Sequence, residues 1–151
     1  MDGTAPVAGR QEWLSVLARA PDGRLAELSE QAAITVPFDW LRRPEIGTVM
    51  VRGRAGAIGA PFNLGEITVT RAAVQLPSGE VGHGHVLGRS KTAAEWAAVV
   101  DALMQTDRAD AIRAAVLDPL AAAMAAATQV RAEKAAATRV EFFTMVRGED
   151  Q

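Results

Sequence analysis

The sequence predicts an α+β fold: N-terminal helices, a small central antiparallel sheet, and C-terminal helices with a terminal extended segment. Three observations carry that expectation. Apolar residues recur at helical spacing near the start, in Trp13, Leu14, Val16 and Leu17. Between Gly47 and Leu87 the pattern turns to β-branched alternation, broken by glycine- and proline-bearing turns. Beyond Gly88 helical spacing returns and the chain becomes rich in alanine.

The first helix is expected over Gln11 to Ala20, stopped by Pro21-Asp22-Gly23, and a second over Arg24 to Ala33 with Leu25 and Leu28 inward. Ile34 to Pro44 reads as a short strand and a turn. Gly47 to Arg54 alternates Val49 and Val51 against Met50 and Arg52, a strand pattern. The glycine-rich Ala55 to Pro61 connects it to a second strand, Glu66 to Leu76. Pro77-Ser78-Gly79-Glu80 is a turn into a third strand, Val81 to Leu87, so that pair is an antiparallel hairpin. Thr92-Ala93-Ala94-Glu95 reads as a capping box for a helix to about Gln105, burying Trp96, Val99, Val100, Leu103 and Met104. Asp107 to Val116 predicts a short helix, and Pro119 to about Arg139 a long alanine-rich one with Pro119 in its first turn. Such a helix carries few large side chains, so it is expected to pack on another chain or cross tightly over the sheet. The last stretch, Val140 to Gly148, holds Phe142, Phe143 and Met145, an apolar end that needs a surface to cover it.

A chain of 151 residues, 49% apolar and 23% charged, suits one domain with a real core, with residues 1–9 as a flexible N-terminus. A formal charge of -2 gives no electrostatic case for nucleic acid or an anionic membrane. With no Cys, disulfides, thiolate metal sites and cysteine nucleophiles are excluded. The first ten residues show no basic segment followed by an apolar run, so no secretory signal is visible and a cytoplasmic location is expected. Pro119 to Val130, a dozen residues, falls short of the roughly 20 that span a bilayer.

Four segments invite a chemical reading. Arg52 to Gly59 has the glycines and cations of a phosphate loop, but neither Rossmann nor P-loop spacing, and a hairpin connection explains it. His83 and His85, the only two histidines, sit at i, i+2 on one strand face and could share a metal, though no third ligand is evident and no metal or cofactor is assigned. Arg89 and Lys91, with Ser90 and Thr92, precede a capped helix whose free N–H groups favour anions; the plain alternative pairs them with a carboxylate such as Glu66. Arg71 is a lone cation on an apolar strand, suited to pairing with a carboxylate or to an anion. No Ser–His–Asp order, HExxH or nucleophile elbow appears, so no catalytic residue is assigned.

Taken together, the segments Arg10 to Ala18, Gly65 to Val74, Gly88-Arg89-Ser90-Lys91 with Ala94-Glu95, Asp101 to Gln105 and Phe142 to Gly148 resemble the PhnG family. This family is the G subunit of the bacterial carbon–phosphorus lyase core complex of phosphonate metabolism. The resemblance implies association with the H, I and J subunits in an assembly with two copies of each. With H, I and L, the family supports formation of α-D-ribose 1-methylphosphonate 5-triphosphate from ATP and methylphosphonate, a transferase reaction that releases adenine. Nucleosidase chemistry is attributed there to the I subunit, and radical carbon–phosphorus cleavage to J. The resemblance carries no catalytic residue onto this chain. It leaves Arg71, Arg89, Lys91 and Arg147 as candidates for structural or interface contacts.

The leading expectation is therefore a scaffold subunit, meeting its partners through Phe142, Phe143, Met145 and Arg147 and through the alanine-rich helix. Trp13 or Trp40 are possible anchors, though core positions suit both better. Arg71, Arg89 and Lys91 are the expected anion contacts for ATP or a phosphonate at a shared site. The alternatives are a free-standing anion- or metal-binding module or enzyme centred on His83, His85 and Arg89, and a homodimer through the alanine-rich helix.

Overall fold

The computed structural model describes residues 7–56 and 58–139. Helices α1 (Val7–Ala18) and α2 (Arg24–Gln31) precede three strands, β1 (Asp39–Arg54), β2 (Pro61–Gln75) and β3 (Val81–Leu87). Then follow α3 (Lys91–Leu103), α4 (Ala109–Ile112), a π-helical turn (Arg113–Leu117) and α5 (Asp118–Ala137). The strands form one antiparallel sheet in the order β1-β2-β3. The fold is α+β, with helices at both ends.

The core lies between α3 and one face of the sheet, closed from the sides by α1, α2 and the π turn. Its packing depends on an interlock of small residues. Gly82 and Gly84 face α3, and a Cβ on either would run into helix backbone, the Ala98 carbonyl for Gly82 and the Ala94 carbonyl for Gly84. Ala94, Ala98 and Ala102 stand four residues apart on the helix face that meets them, all fully buried. The helix therefore rests almost directly on the strand. The glycines in Val81-Gly82-His83-Gly84-His85-Val86 are a packing pattern, and the same alternation turns both histidines outward.

Several elements depart from the sequence-based expectation, each for a physical reason. β1 is one long strand from Asp39, not a short strand, a turn and a second strand. It runs through Pro44 because β1 is an edge strand and Pro44 lies inside a register shift between Arg42 and Glu45, where no ladder bond is needed. β2 begins at Pro61, five residues before the expected Glu66. β3 pairs only with Val69 to Gln75, so β1 and β2 continue past it as a two-stranded ribbon. Both faces of that ribbon are open. Val49 and Met50, on opposite sides, are each about half exposed, contrary to the simple alternation of burial.

The capping box at Thr92 is replaced by a cap two residues earlier. Ser90 is the N-cap, its hydroxyl accepting from the Ala93 N–H at 3.1 Å, and the helix starts at Lys91. Within α3, Val99, Val100, Leu103 and Met104 are buried as expected, while Trp96 is only partly so. The two expected C-terminal helices are one continuous helical run, Ala109 to Ala137. Pro119 falls in the first turn of α5, as expected, two residues after the π turn ends. A proline offers no N–H to the carbonyl four residues back and crowds it; the wider turn relieves that conflict.

The run neither crosses the sheet nor packs along it. Leu120 is its last buried residue, Met124 is half-buried, and the rest of α5 is exposed. By length and composition this helix could cross a membrane, unlike any segment read from sequence alone. Its charge-free part is still only Pro119 to Val130, bounded by Asp118 and Arg131, and its first turns are buried in the protein. The terminal segment holding Phe142, Phe143, Met145 and Arg147 lies outside the described residues.

Candidate functional site

The sheet's outer face, opposite α3, gathers the ionisable side chains. β2–β3 register sets Arg71 beside His85 and Ala73 beside His83, and β1–β2 register sets Glu45 beside Arg71. Arg42 arrives from the bulged part of β1. Arg42, Arg71, His83 and His85, with Leu41 and Ala73, line a shallow depression of about 380 Å³. Glu45 closes one side by bridging both guanidiniums. Arg71 Nε donates to Glu45 Oε1 at 2.7 Å, and Arg42 donates to the same oxygen. Hydrogen bonds from Arg42 and Arg71 hold the Glu45 carboxyl below its usual range. Arg71 thus takes the carboxylate-pairing role, with Glu45 as its partner.

Partial burial first, then His83, Arg71 and Arg42, push the His85 pKa down. The guanidiniums that oppose a positive imidazole oppose a bound cation for the same reason. Among the described residues, no three His, Asp or Glu side chains group as metal ligands. The depression suits an anion better than a metal.

Arg89 and Lys91 are not brought to this depression. Arg89 lies in the turn between β3 and α3 and Lys91 opens α3; both are exposed, and neither forms an ion pair among the described residues. The turn itself is fixed: Thr70 Oγ1 donates to the Gly88 carbonyl at 2.8 Å, and the Gly88 N–H donates to the Thr68 carbonyl at 2.9 Å. The expected anion set of Arg71, Arg89 and Lys91 is therefore two separate places. Arg52 and Arg54 stand at the ribbon's open end, in the hairpin expected from their glycines. A second, larger cleft of about 550 Å³ between the Val36–Pro37 segment and Thr106–Arg108 mixes acidic and basic groups and holds neither histidine.

Sequence reading missed the buried network behind this face. Asp101 on α3 is fully buried and accepts four hydrogen bonds. Arg10 supplies two and the Trp13 indole N–H one at 2.9 Å; the fourth comes from the His83 backbone N–H at 2.8 Å. Arg10 and Gln105 also donate to the Val81 carbonyl, at 3.0 and 2.9 Å. One carboxylate thus joins α1, α3 and the start of β3. Trp13 is a core residue. Trp40 is half-buried, edge-on to Phe38 with ring centres 5.0 Å apart. A signal was present in the sequence, since Arg10 to Ala18 and Asp101 to Gln105 both carry the family resemblance, but nothing in their spacing pairs them.

A small α+β protein with a helix-backed sheet, an open ribbon and a protruding C-terminal helix is the arrangement on which the comparisons bear. The chain belongs to the PhnG family: the family model described as "Phosphonate metabolism protein PhnG" matches residues 8–148. It is 49% identical over 146 residues to the α-D-ribose 1-methylphosphonate 5-triphosphate synthase subunit PhnG of Rhizobium meliloti (strain 1021), covering 97% of this chain and 94% of that protein.

Proposed function

We propose that this chain is the G subunit of an α-D-ribose 1-methylphosphonate 5-triphosphate synthase in phosphonate breakdown, working mainly as a scaffold for catalytic subunits in the cytoplasm. The observation that carries the scaffold role is the apolar surface left open on two protruding elements. Val49, Met50, Phe62, Leu64 and Ile67 are all at least four-tenths exposed on the β1–β2 ribbon. Exposed apolar surface gathered on one element marks an interaction site, whereas single scattered residues do not. The α5 helix, small-sided and uncovered beyond Leu120, allows a partner backbone to approach closely.

The partners follow from the family: the H, I and J subunits, with I the main contact and L acting functionally alongside. Phe142, Phe143, Met145 and Arg147 extend the same interface in this reading, and deletion of residues 140–148 weakens capture of I. The free-standing metal-binding alternative is disfavoured by the cations around the histidines.

The test is co-expression of a tagged full-length chain with the I subunit, comparing wild type with Ile67→Glu and Val49→Lys. Both sites are exposed, so stability changes by no more than about 0.5 kcal/mol. Stoichiometric capture by the wild type, lost in the ribbon variants, supports the scaffold. Undiminished capture by both variants removes the ribbon from the interface.

A further inference from the structure

We propose that the outer-face depression formed by Arg42, Arg71, His83 and His85 is a binding site for a tetrahedral oxyanion, a phosphonate head or the end of a polyphosphate, taken up together with a proton.

The geometry supplies the donors. Glu45 engages Arg71 only through Nε, leaving both terminal Nη atoms without a hydrogen bond among the described residues. A guanidinium held by one edge and open at the other presents a planar pair of N–H groups, the arrangement that matches phosphate oxygens. Neither imidazole makes a hydrogen bond among the described residues, although both line the depression. The His83 backbone is fixed from behind by Asp101, so its side chain is positioned by a rigid strand and not by a loop.

The charges facing His85 set the proton dependence. From β1 come Arg42 and Glu45, from β2 Arg71, and from its own strand His83. From α3, behind the strand, comes the Asp101 carboxylate, already paired with Arg10 of α1. Glu45 offsets one guanidinium, which leaves a single net positive charge at neutral imidazoles. An anion entering the depression offsets the positive field that lowers the proton affinity of His85, so binding raises that affinity. Binding therefore strengthens as pH falls through the histidine range.

This inference does not rest on the scaffold reading, because it needs no partner; capture of the I subunit and anion binding fail or succeed separately. The chain has only two histidines, so their ε1 protons report directly by NMR. The full 151-residue chain is titrated with acid alone, with methylphosphonate, and with inorganic tripolyphosphate, against sodium chloride at equal ionic strength. Either anion is expected to raise the His85 midpoint by about one pH unit, where chloride does not. A response to methylphosphonate identifies a single head group as the ligand; a response to tripolyphosphate alone identifies the polyphosphate. Arg71→Gln and, separately, Arg42→Gln are expected to reduce the shift severalfold, with Arg89→Gln/Lys91→Gln leaving it intact. No shift with either anion overturns the site. So does a shift that survives Arg71→Gln and Arg42→Gln but disappears in Arg89→Gln/Lys91→Gln.

Discussion

Arg10 grips Asp101 with two hydrogen bonds, Nε to Oδ1 at 3.1 Å and Nη2 to Oδ2 at 2.7 Å, across ninety-one residues of sequence. The carboxylate has no exposed surface, while the guanidinium keeps about a quarter of its own. A buried ion pair gains little over an apolar substitute, but losing one member strands the other. Here the stranded groups would also include the Trp13 indole N–H and the His83 backbone N–H. Asp101→Ala is expected to cost about 3 kcal/mol, read as a lowered urea midpoint. Arg10→Ala costs less, because Trp13 and His83 still satisfy the carboxylate. Equal stability of Asp101→Ala and wild type would refute the central place given to this residue.

The close seating of α3 on β3 makes a sharper prediction. In Gly84→Ala the new methyl meets the Ala94 carbonyl and the Ala98 amide, both backbone. Overpacking of this kind typically costs about 1–3 kcal/mol, and the upper end is expected because no side chain can move aside. Adding Ala98→Gly to Gly84→Ala does not rescue it, since the obstructing atoms remain. Thermal unfolding of the single and double variants decides: rescue by Ala98→Gly would mean that side-chain volume, and not backbone approach, sets the spacing.

Helix capping separates the sequence reading from the structure. Ser90 holds the Ala93 N–H, so Ser90→Ala is expected to lose about 1 kcal/mol. Thr92→Ala, inside the first turn and exposed, should change stability by no more than about 0.5 kcal/mol. The opposite order of effects in denaturant titrations would restore Thr92 as the cap.

The histidine pair gives a pH dependence of defined sign. His85 has a folded-state pKa lowered from its ordinary value of 6.5 by burial and neighbouring cations. The unfolded chain therefore takes up its proton first as pH falls. Stability is full above about 6.5, declines as pH drops through the lowered folded value, and then levels off. Glu45, also lowered, contributes stability present above its ordinary 4.5 and lost below it, a separate and more acidic window. In His85→Gln the decline just below 6.5 disappears while the acidic one stays. Melting temperatures from pH 8 to 3.5 check this, and an unchanged profile in His85→Gln would assign the decline elsewhere.

Much of the fold was readable because local signals and tertiary structure agree. Val81 to Leu87 is a strand with the bounds its alternation indicates, since the turn before it is closed by the Leu76 N–H donating to the Glu80 carbonyl, the Gly79 N–H donating to the Leu76 carbonyl, and Gly79 at φ 107°. Readings failed where the deciding interaction is non-local. Pro44 looks like a strand terminator, and only its place on an edge strand at a bulge makes it harmless. His83-Gly84-His85 draws attention to the imidazoles, yet the glycine is equally constrained, by a helix that begins seven residues later. The Arg71–Glu45 pair and the Arg10–Asp101 pair depend on strand register and helix docking, which periodicity cannot supply. The candidate site was legible as residue types, with Arg71, His83 and His85 each singled out. It was not legible as a place, because Arg42 enters it only through the irregular register of β1.

The central claim is that the β1–β2 ribbon and the exposed part of α5 are covered by partner subunits. Hydrogen exchange by mass spectrometry, on the full chain alone and in the assembled synthase, tests it most directly. A two-stranded ribbon open on both faces should exchange readily when free. The account predicts slowed exchange on assembly across residues 45–68 and 119–137, with little change in α3 and β3, which are already protected by the core. Identical exchange of the ribbon in the free and assembled protein would contradict it.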